Sequence, residues 1–118
     1  MRFSFARHPA PVLAAALLAC AFAAPAQAAP DADAATSLAR SNNCFKCHSV
    51  SKDKDGPSFK KTAEKYRGKP DAQAKLVHHL TSGEKAKFPD GHSEDHKIID
   101  TKDDAQVKNL VDWILSQQ

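Results

Sequence analysis

Apolar residues recur at helical spacing in four stretches of the chain after its N-terminal region. The first stretch carries Ala35, Leu38 and Ala39 at positions i, i+3 and i+4, which is the spacing of one helix face. Asp31 or Asp33 stands close before it, and either side chain can cap the helix N-terminus. The pattern predicts a first helix whose small alanines allow another helix to cross it closely.

A second, shorter stretch follows a Gly-Pro pair. Ser58 can cap it, and Phe59, Ala63 and Tyr66 then lie on one helix face. Gly68 is placed to end it, because glycine tolerates the left-handed conformation that often closes a helix.

The third and fourth stretches complete the pattern. Asp71 opens the third, which ends at Gly83. Thr101 and Asp104 resemble a capping box at the start of the fourth, which continues to the C-terminus. Its apolar stripe consists of Val107, Leu110, Val111 and Ile114.

Turn residues connect these stretches: Gly56-Pro57, Lys69-Pro70 and Phe88-Pro89-Asp90-Gly91. Alternating β-branched runs are missing, and no internal repeat follows the N-terminal region. The sequence therefore predicts a single all-α domain with about four helices.

The N-terminal region has the pattern of a secretory signal peptide. Arg2 and Arg7 precede an apolar run over residues 12–24, and Ala26-Gln27-Ala28 is a small-x-small cleavage site. The apolar run is too short for a membrane-spanning helix, so no membrane span is expected. The cleavage site predicts that residues 1–28 are removed and that residues 29–118 form the mature domain. Leu17-Leu18-Ala19-Cys20 resembles a lipoprotein box, but the apolar run continues past it to the better site.

The residue types with the most specific chemistry follow the first helix, in Cys44-Phe45-Lys46-Cys47-His48. Cys-x-x-Cys-His is the attachment signature of a c-type haem, in which two thiols bond to the vinyl groups and the adjacent imidazole ligates iron. Two intervening residues put both sulfurs on one side of a helical turn. The motif predicts one covalently bound haem c, attached through Cys44 and Cys47, with His48 on the iron.

Two other roles for a Cys pair have weaker support. A redox dithiol is expected near a βαβ pattern, and a structural zinc site needs four ligands at suitable spacing. The sequence contains neither context. Covalent haem attachment in bacteria takes place outside the cytoplasm, so the motif agrees with the signal peptide and predicts a periplasmic protein.

Charge is unevenly distributed. Without residues 1–28 the chain has 15 basic and 14 acidic residues, a net charge of +1. Residues 46–87 carry 11 Lys and Arg against five acids, whereas residues 88–118 carry seven acids against three lysines. Most such charges belong to solvated helix faces, but the basic segment could also steer an acidic redox partner. A monomer is expected, with no nucleic-acid partner.

The chain after residue 28 resembles a class I cytochrome c of the small bacterial type. The order of features carries the resemblance: a helix, the Cys-x-x-Cys-His motif, Gly56-Pro57, a short helix and a terminal helix with Trp113. It implies a small cytochrome c fold, four or so helices wrapped around one covalently bound haem. It also implies that His48 is the proximal ligand, that its second ring nitrogen donates to the Pro57 carbonyl, and that Trp113 packs near the crossing of the first and last helices.

The sequence departs from that family at the sixth iron ligand. The family's usual ligand is a Met in the loop before the last helix, but the only Met here is Met1. The loop contains His92 and His96 instead. Counting back from Trp113 favours His96, whereas counting forward from the haem motif favours His92. We expect His96 to be the ligand, with His92 in reserve, and a lower reduction potential than His/Met ligation gives.

Two further histidines lie on the predicted third helix. Leu76, Val77 and Leu80 define its buried direction, which His78 opposes and from which His79 deviates by about 105°. Both are expected at the surface, with His79 a weak third candidate for the iron.

The resemblance implies that the protein transfers single electrons. We do not expect an enzyme, because the sequence offers no paired carboxylates, activated nucleophile or open metal position. The alternative is a haem-based ligand binder, sensor or peroxidase with a labile distal His, which would bind carbon monoxide readily. A thiol-disulfide protein using Cys44 and Cys47 would instead lack a Soret band and react with thiol reagents.

Overall fold

The computed structural model describes residues 27–118. The predicted signal peptide, residues 1–28, lies outside the described residues except for its last two. A 3₁₀ turn at Cys44–Lys46 follows the first helix, and a small hairpin precedes the last. The elements are α1 (Ala32–Ser41), α2 (Phe59–Tyr66), α3 (Ala72–Ser82), β1 (Lys85–Lys87), β2 (Ser93–Asp95) and α4 (Asp104–Leu115).

The first and last helices pack against each other. Asp31 is the residue that caps α1, and its carboxylate accepts a hydrogen bond from the Ala34 N–H at 2.9 Å. Ala35 and Ala39 are fully buried, as the prediction of a close helix crossing requires. Asn109 of α4 ties the two helices together, because its side chain both accepts from the Asp31 N–H and donates to the Asp31 carbonyl.

The short helices begin directly after the predicted residues Ser58 and Asp71, but only Ser58 caps its helix with its side chain. The Ser58 hydroxyl accepts from the Lys61 N–H at 3.2 Å at the start of α2. Asp71 precedes α3, but its side chain forms an ion pair with Lys75 at 2.8 Å and does not cap the helix. Gly83 ends α3 with φ +68°, a left-handed conformation in which other residues are strained.

The capping box predicted from Thr101 and Asp104 is wrong. Asp103 caps α4, and its carboxylate accepts from the N–H groups of Ala105 and Gln106. The Thr101 hydroxyl instead accepts a hydrogen bond from the Asp103 N–H, so it stabilises the residues directly before α4.

The core lies along α4, which contacts each of the other three helices. Leu110 and Val111 are 1% and 0% exposed, respectively. Trp113 is buried and meets Phe59 of α2 edge to face, with 5.5 Å between the ring centroids. Burial of this stripe is the main stabilising contribution of the side chains, since apolar area removed from water contributes about 25 cal/mol per Å².

The hairpin is the one departure from the all-α prediction within residues 27–118. β1 pairs antiparallel with β2, with Ala86 opposite Glu94, so the fold is mostly α. Its residues are almost all polar and exposed, so no hydrophobic alternation marks it in the sequence. Within the same residues, no helix is long and apolar enough to cross a bilayer.

Candidate haem site

The two thiols and the adjacent imidazole are placed by one tight turn. The N–H groups of Cys47 and His48 both donate to the Cys44 carbonyl, at 3.2 and 3.0 Å. Asn43 enters the turn with φ +58°, a left-handed conformation that asparagine tolerates better than most residues. Cys44 and Cys47 are both half-buried. The turn therefore presents both sulfurs and the imidazole together.

His48 is held in one orientation by the Gly-Pro pair. Its Nδ1–H donates to the Pro57 carbonyl oxygen at 2.7 Å, the contact that the family resemblance implies. The ring stacks on Phe59 with 5.4 Å between centroids, and Gly56 approaches it so closely that a Cβ there would lie 2.5 Å from Cε1. A hydrogen bond at Nδ1 fixes the tautomer and leaves Nε2 to ligate a metal.

His96 lies at the base of the hairpin, directly after β2. Its backbone N–H donates to the Glu84 carbonyl at 3.0 Å, and its Nδ1–H donates to the Lys97 carbonyl at 3.0 Å. The side chain is half buried, and that desolvation, aided by His79 and His48, lowers its pKa. The hydrogen bond at Nδ1 leaves Nε2 as the nitrogen that can ligate a metal.

The centroids of the His48 and His96 rings lie 6.3 Å apart, with 52° between the ring planes. A metal–imidazole bond of about 2.0 Å, with roughly 1.1 Å from nitrogen to ring centroid, would separate two imidazoles bound to one metal ion by up to about 6.2 Å. The observed separation would therefore suit one iron bound by both imidazoles, and Cys44 and Cys47 would hold the porphyrin beside His48.

His92 does not lie near His48. It lies in the turn of the hairpin, stacked on Phe88 with 4.4 Å between ring centroids. Its Nδ1 contacts Asp90 and its Nε2 lies 3.1 Å from Glu94, so both nitrogens are already engaged. These carboxylates, Asp90 first, raise the pKa of His92. His92 is an exposed residue of the hairpin tip whose ring contacts two carboxylates.

His79 lies beside His96, closer to the site than its helical position predicts. Its ring centroid lies 4.2 Å from that of His96, and its Nδ1 lies 2.6 Å from the Glu84 carboxylate. The side chain is 30% exposed, against 67% for His78. A residue about 105° from the centre of the buried face lies on its border, and helical periodicity alone could not assign it to either side.

Comparisons with known proteins agree on one family. The family model for cytochrome c matches residues 32–118. Cytochrome c-552 of Nitrosomonas europaea is 35% identical over 85 residues, covering 72% of this chain and 80% of its own. Cytochrome c-551 of Allochromatium vinosum is 36% identical over 87 residues, covering 74% and 89%.

Solved structures have the same fold. The class 1 cytochrome MtoD from Sideroxydans lithotrophicus ES-1 is 70% identical, with a TM-score of 0.72 over 75% of this chain and 98% of that one. The wild-type cytochrome c552 of Nitrosomonas europaea is 32% identical, with a TM-score of 0.58 over 70% and 99%. The chain therefore belongs to the cytochrome c family, as a small class I monohaem member with its haem c bound covalently through Cys44 and Cys47.

Proposed function

We propose that this protein is an exported single-electron carrier with His48 and His96 on opposite sides of the haem iron. Membership of the family implies electron transfer by a monohaem cytochrome. The haem supplies the one-electron couple between ferric and ferrous iron. The observation that carries the ligation is the 6.3 Å between the two rings, each with its Nδ1 committed to a backbone carbonyl.

The chain's own contribution is to hold both imidazoles in place in either oxidation state. Pro57 fixes His48, while the Lys97 carbonyl and the pairing to Glu84 fix His96. Ligands fixed in this way need little rearrangement when an electron arrives. Two imidazoles stabilise ferric iron more than an imidazole and a thioether do, so the reduction potential is lower than in His/Met cytochromes.

The same proposal includes export and docking. Removal of residues 1–28 would leave a mature chain, residues 29–118, in the periplasm, where bacterial haem attachment takes place. The Lys-rich segment over residues 46–87 would attract an acidic redox protein towards the haem over a long range. The protein would act as a monomer and bind its redox partners weakly and briefly. The protein is an electron carrier and not an enzyme in this proposal.

The test compares two histidines of the same hairpin region in the ferric holo-protein. His96→Ala should lose the six-coordinate low-spin signature in absorption and electron paramagnetic resonance spectra, whereas the matched variant His92→Ala should keep it. Because His79 lies 4.2 Å from His96, the double variant His79→Ala/His96→Ala is measured as well.

A low-spin spectrum that persists in the double variant would refute ligation by His96. Potentiometry on the unmodified protein tests the second part, and a potential typical of His/Met cytochromes would contradict it. Rapid carbon monoxide binding by the unmodified ferrous protein would favour the alternative, a ligand-binding haem protein with a labile distal His.

A further inference from the structure

A buried polar side chain lies between the two halves of the haem site. Asn42 follows α1 directly, two residues before Cys44, and is only 3% exposed. Burial of an amide is unfavourable unless its donors and acceptors are satisfied, so its partners indicate what it does.

Both ends of the Asn42 amide are engaged. Its Nδ2 donates to the Leu38 carbonyl at 3.0 Å, within its own helix. Its Oδ1 accepts from the Asp100 N–H at 2.7 Å, across 58 positions of sequence. The first bond orients the amide, and the second joins the end of α1 to the segment that carries His96.

That segment, residues 96–100, is held by three long-range bonds from its backbone N–H groups. His96 donates to the Glu84 carbonyl and Ile99 to the Leu80 carbonyl, both on the hairpin and α3 side. The third bond, from Asp100 to Asn42, reaches the side of the thiols instead. It is therefore the contact that relates the distal segment to the point of haem attachment.

We infer that Asn42 is a positioning residue for the distal ligand, which keeps His96 over the iron by tying its segment to the helix end that carries the attachment cysteines. This inference rests on the proposed ligation by His96. Loss of the bond would let the segment move away more often, which opens the distal position to exogenous ligands.

Asn109 provides a matched control. It also joins α1 to a distant segment, with bonds of 2.8 and 2.9 Å to the backbone of Asp31. Those bonds lie at the opposite end of α1, away from the cysteines and from His96. Replacement of either asparagine by leucine nearly keeps the size of the side chain and removes its inter-segment hydrogen bonds, one for Asn42 and two for Asn109.

The experiment measures the rate of carbon monoxide binding to the ferrous holo-protein by stopped flow. A lost hydrogen bond of usual net strength changes an equilibrium by about fivefold, so Asn42→Leu should bind carbon monoxide about five times faster than the unmodified protein. The carbon monoxide binding rate of Asn109→Leu should stay within about twofold of that of the unmodified protein, although the thermal midpoint of each variant falls.

An unchanged rate in Asn42→Leu would overturn the inference, as would an equal acceleration in Asn109→Leu, which would indicate general loosening. His96→Ala sets the rate for an open distal site. If that variant binds no faster than the unmodified protein, the proposed ligation fails and the inference fails with it. Should Asn42→Leu not fold, Asn42→Ser makes the same comparison.

Discussion

Replacement of Gly56 by alanine would test how the proximal imidazole is held. A Cβ at this position would lie 2.5 Å from Cε1 and 2.8 Å from Nδ1 of His48. Carbon atoms do not approach so closely, so the ring must move. Its hydrogen bond to Pro57, now 2.7 Å, lies on the same side of the ring and would be lengthened or lost.

The expected cost has two parts. Forcing an extra methyl group into a packed site costs about 1–3 kcal/mol. Loss of one hydrogen bond adds about 1 kcal/mol. The free energy of unfolding should therefore fall by about 2–4 kcal/mol, which in a domain of this size lowers the thermal midpoint by about 10–30 °C. The backbone contributes little, because Gly56 does not have a positive φ.

Thermal and urea unfolding of the ferric holo-protein, followed by absorption, measure this loss. Gly68→Ala is the matched control: its φ is +73°, but no atom lies within 4 Å of the added Cβ. Backbone strain alone costs it about 1 kcal/mol. Equal losses in the two variants, or an unchanged proximal-ligand spectrum in Gly56→Ala, would refute the steric reasoning.

Two further predictions concern stability away from the iron. The Lys61 ammonium and then the Ser58 N–H hold the pKa of Asp53 below its ordinary value, so its stabilisation is complete above about pH 4 and is lost as the pH falls through the lowered pKa. Asp53→Asn should accordingly flatten the acid limb of the unfolding free energy against pH, and an unaltered limb would contradict this. At the start of α4, Asp103→Ala should cost about 1 kcal/mol in urea unfolding, and more than Thr101→Ala; the reverse order would indicate that Thr101 is the true cap.

The covalent half of the haem site could be predicted from the sequence because its chemistry is local. Cys44, Cys47 and His48 lie within five positions, and a single turn with two hydrogen bonds to one carbonyl places them. The helices could be predicted for a similar reason. Each helix has its own periodic apolar face and its own turn residues near its ends, and both signals lie within a short stretch of sequence.

The distal half depended on the tertiary structure. Counts along the chain from its two ends left His92 and His96 as alternatives. The hairpin separates them: Lys87 pairs with Ser93, so His92 lies in the exposed tip and His96 at the base beside Glu84. The hairpin is too polar to leave a hydrophobic pattern.

The contribution of Asn42 was likewise invisible in the sequence, where it is one of two adjacent asparagines before a cysteine. Its bond to Asp100 spans 58 positions. The cofactor and the residues that attach it could be predicted from the sequence alone, because those residues are near neighbours in the chain. Which histidine lies beside His48, and which residue ties its segment to α1, was decided by the folded chain, because distances between remote segments exist only once those segments are packed.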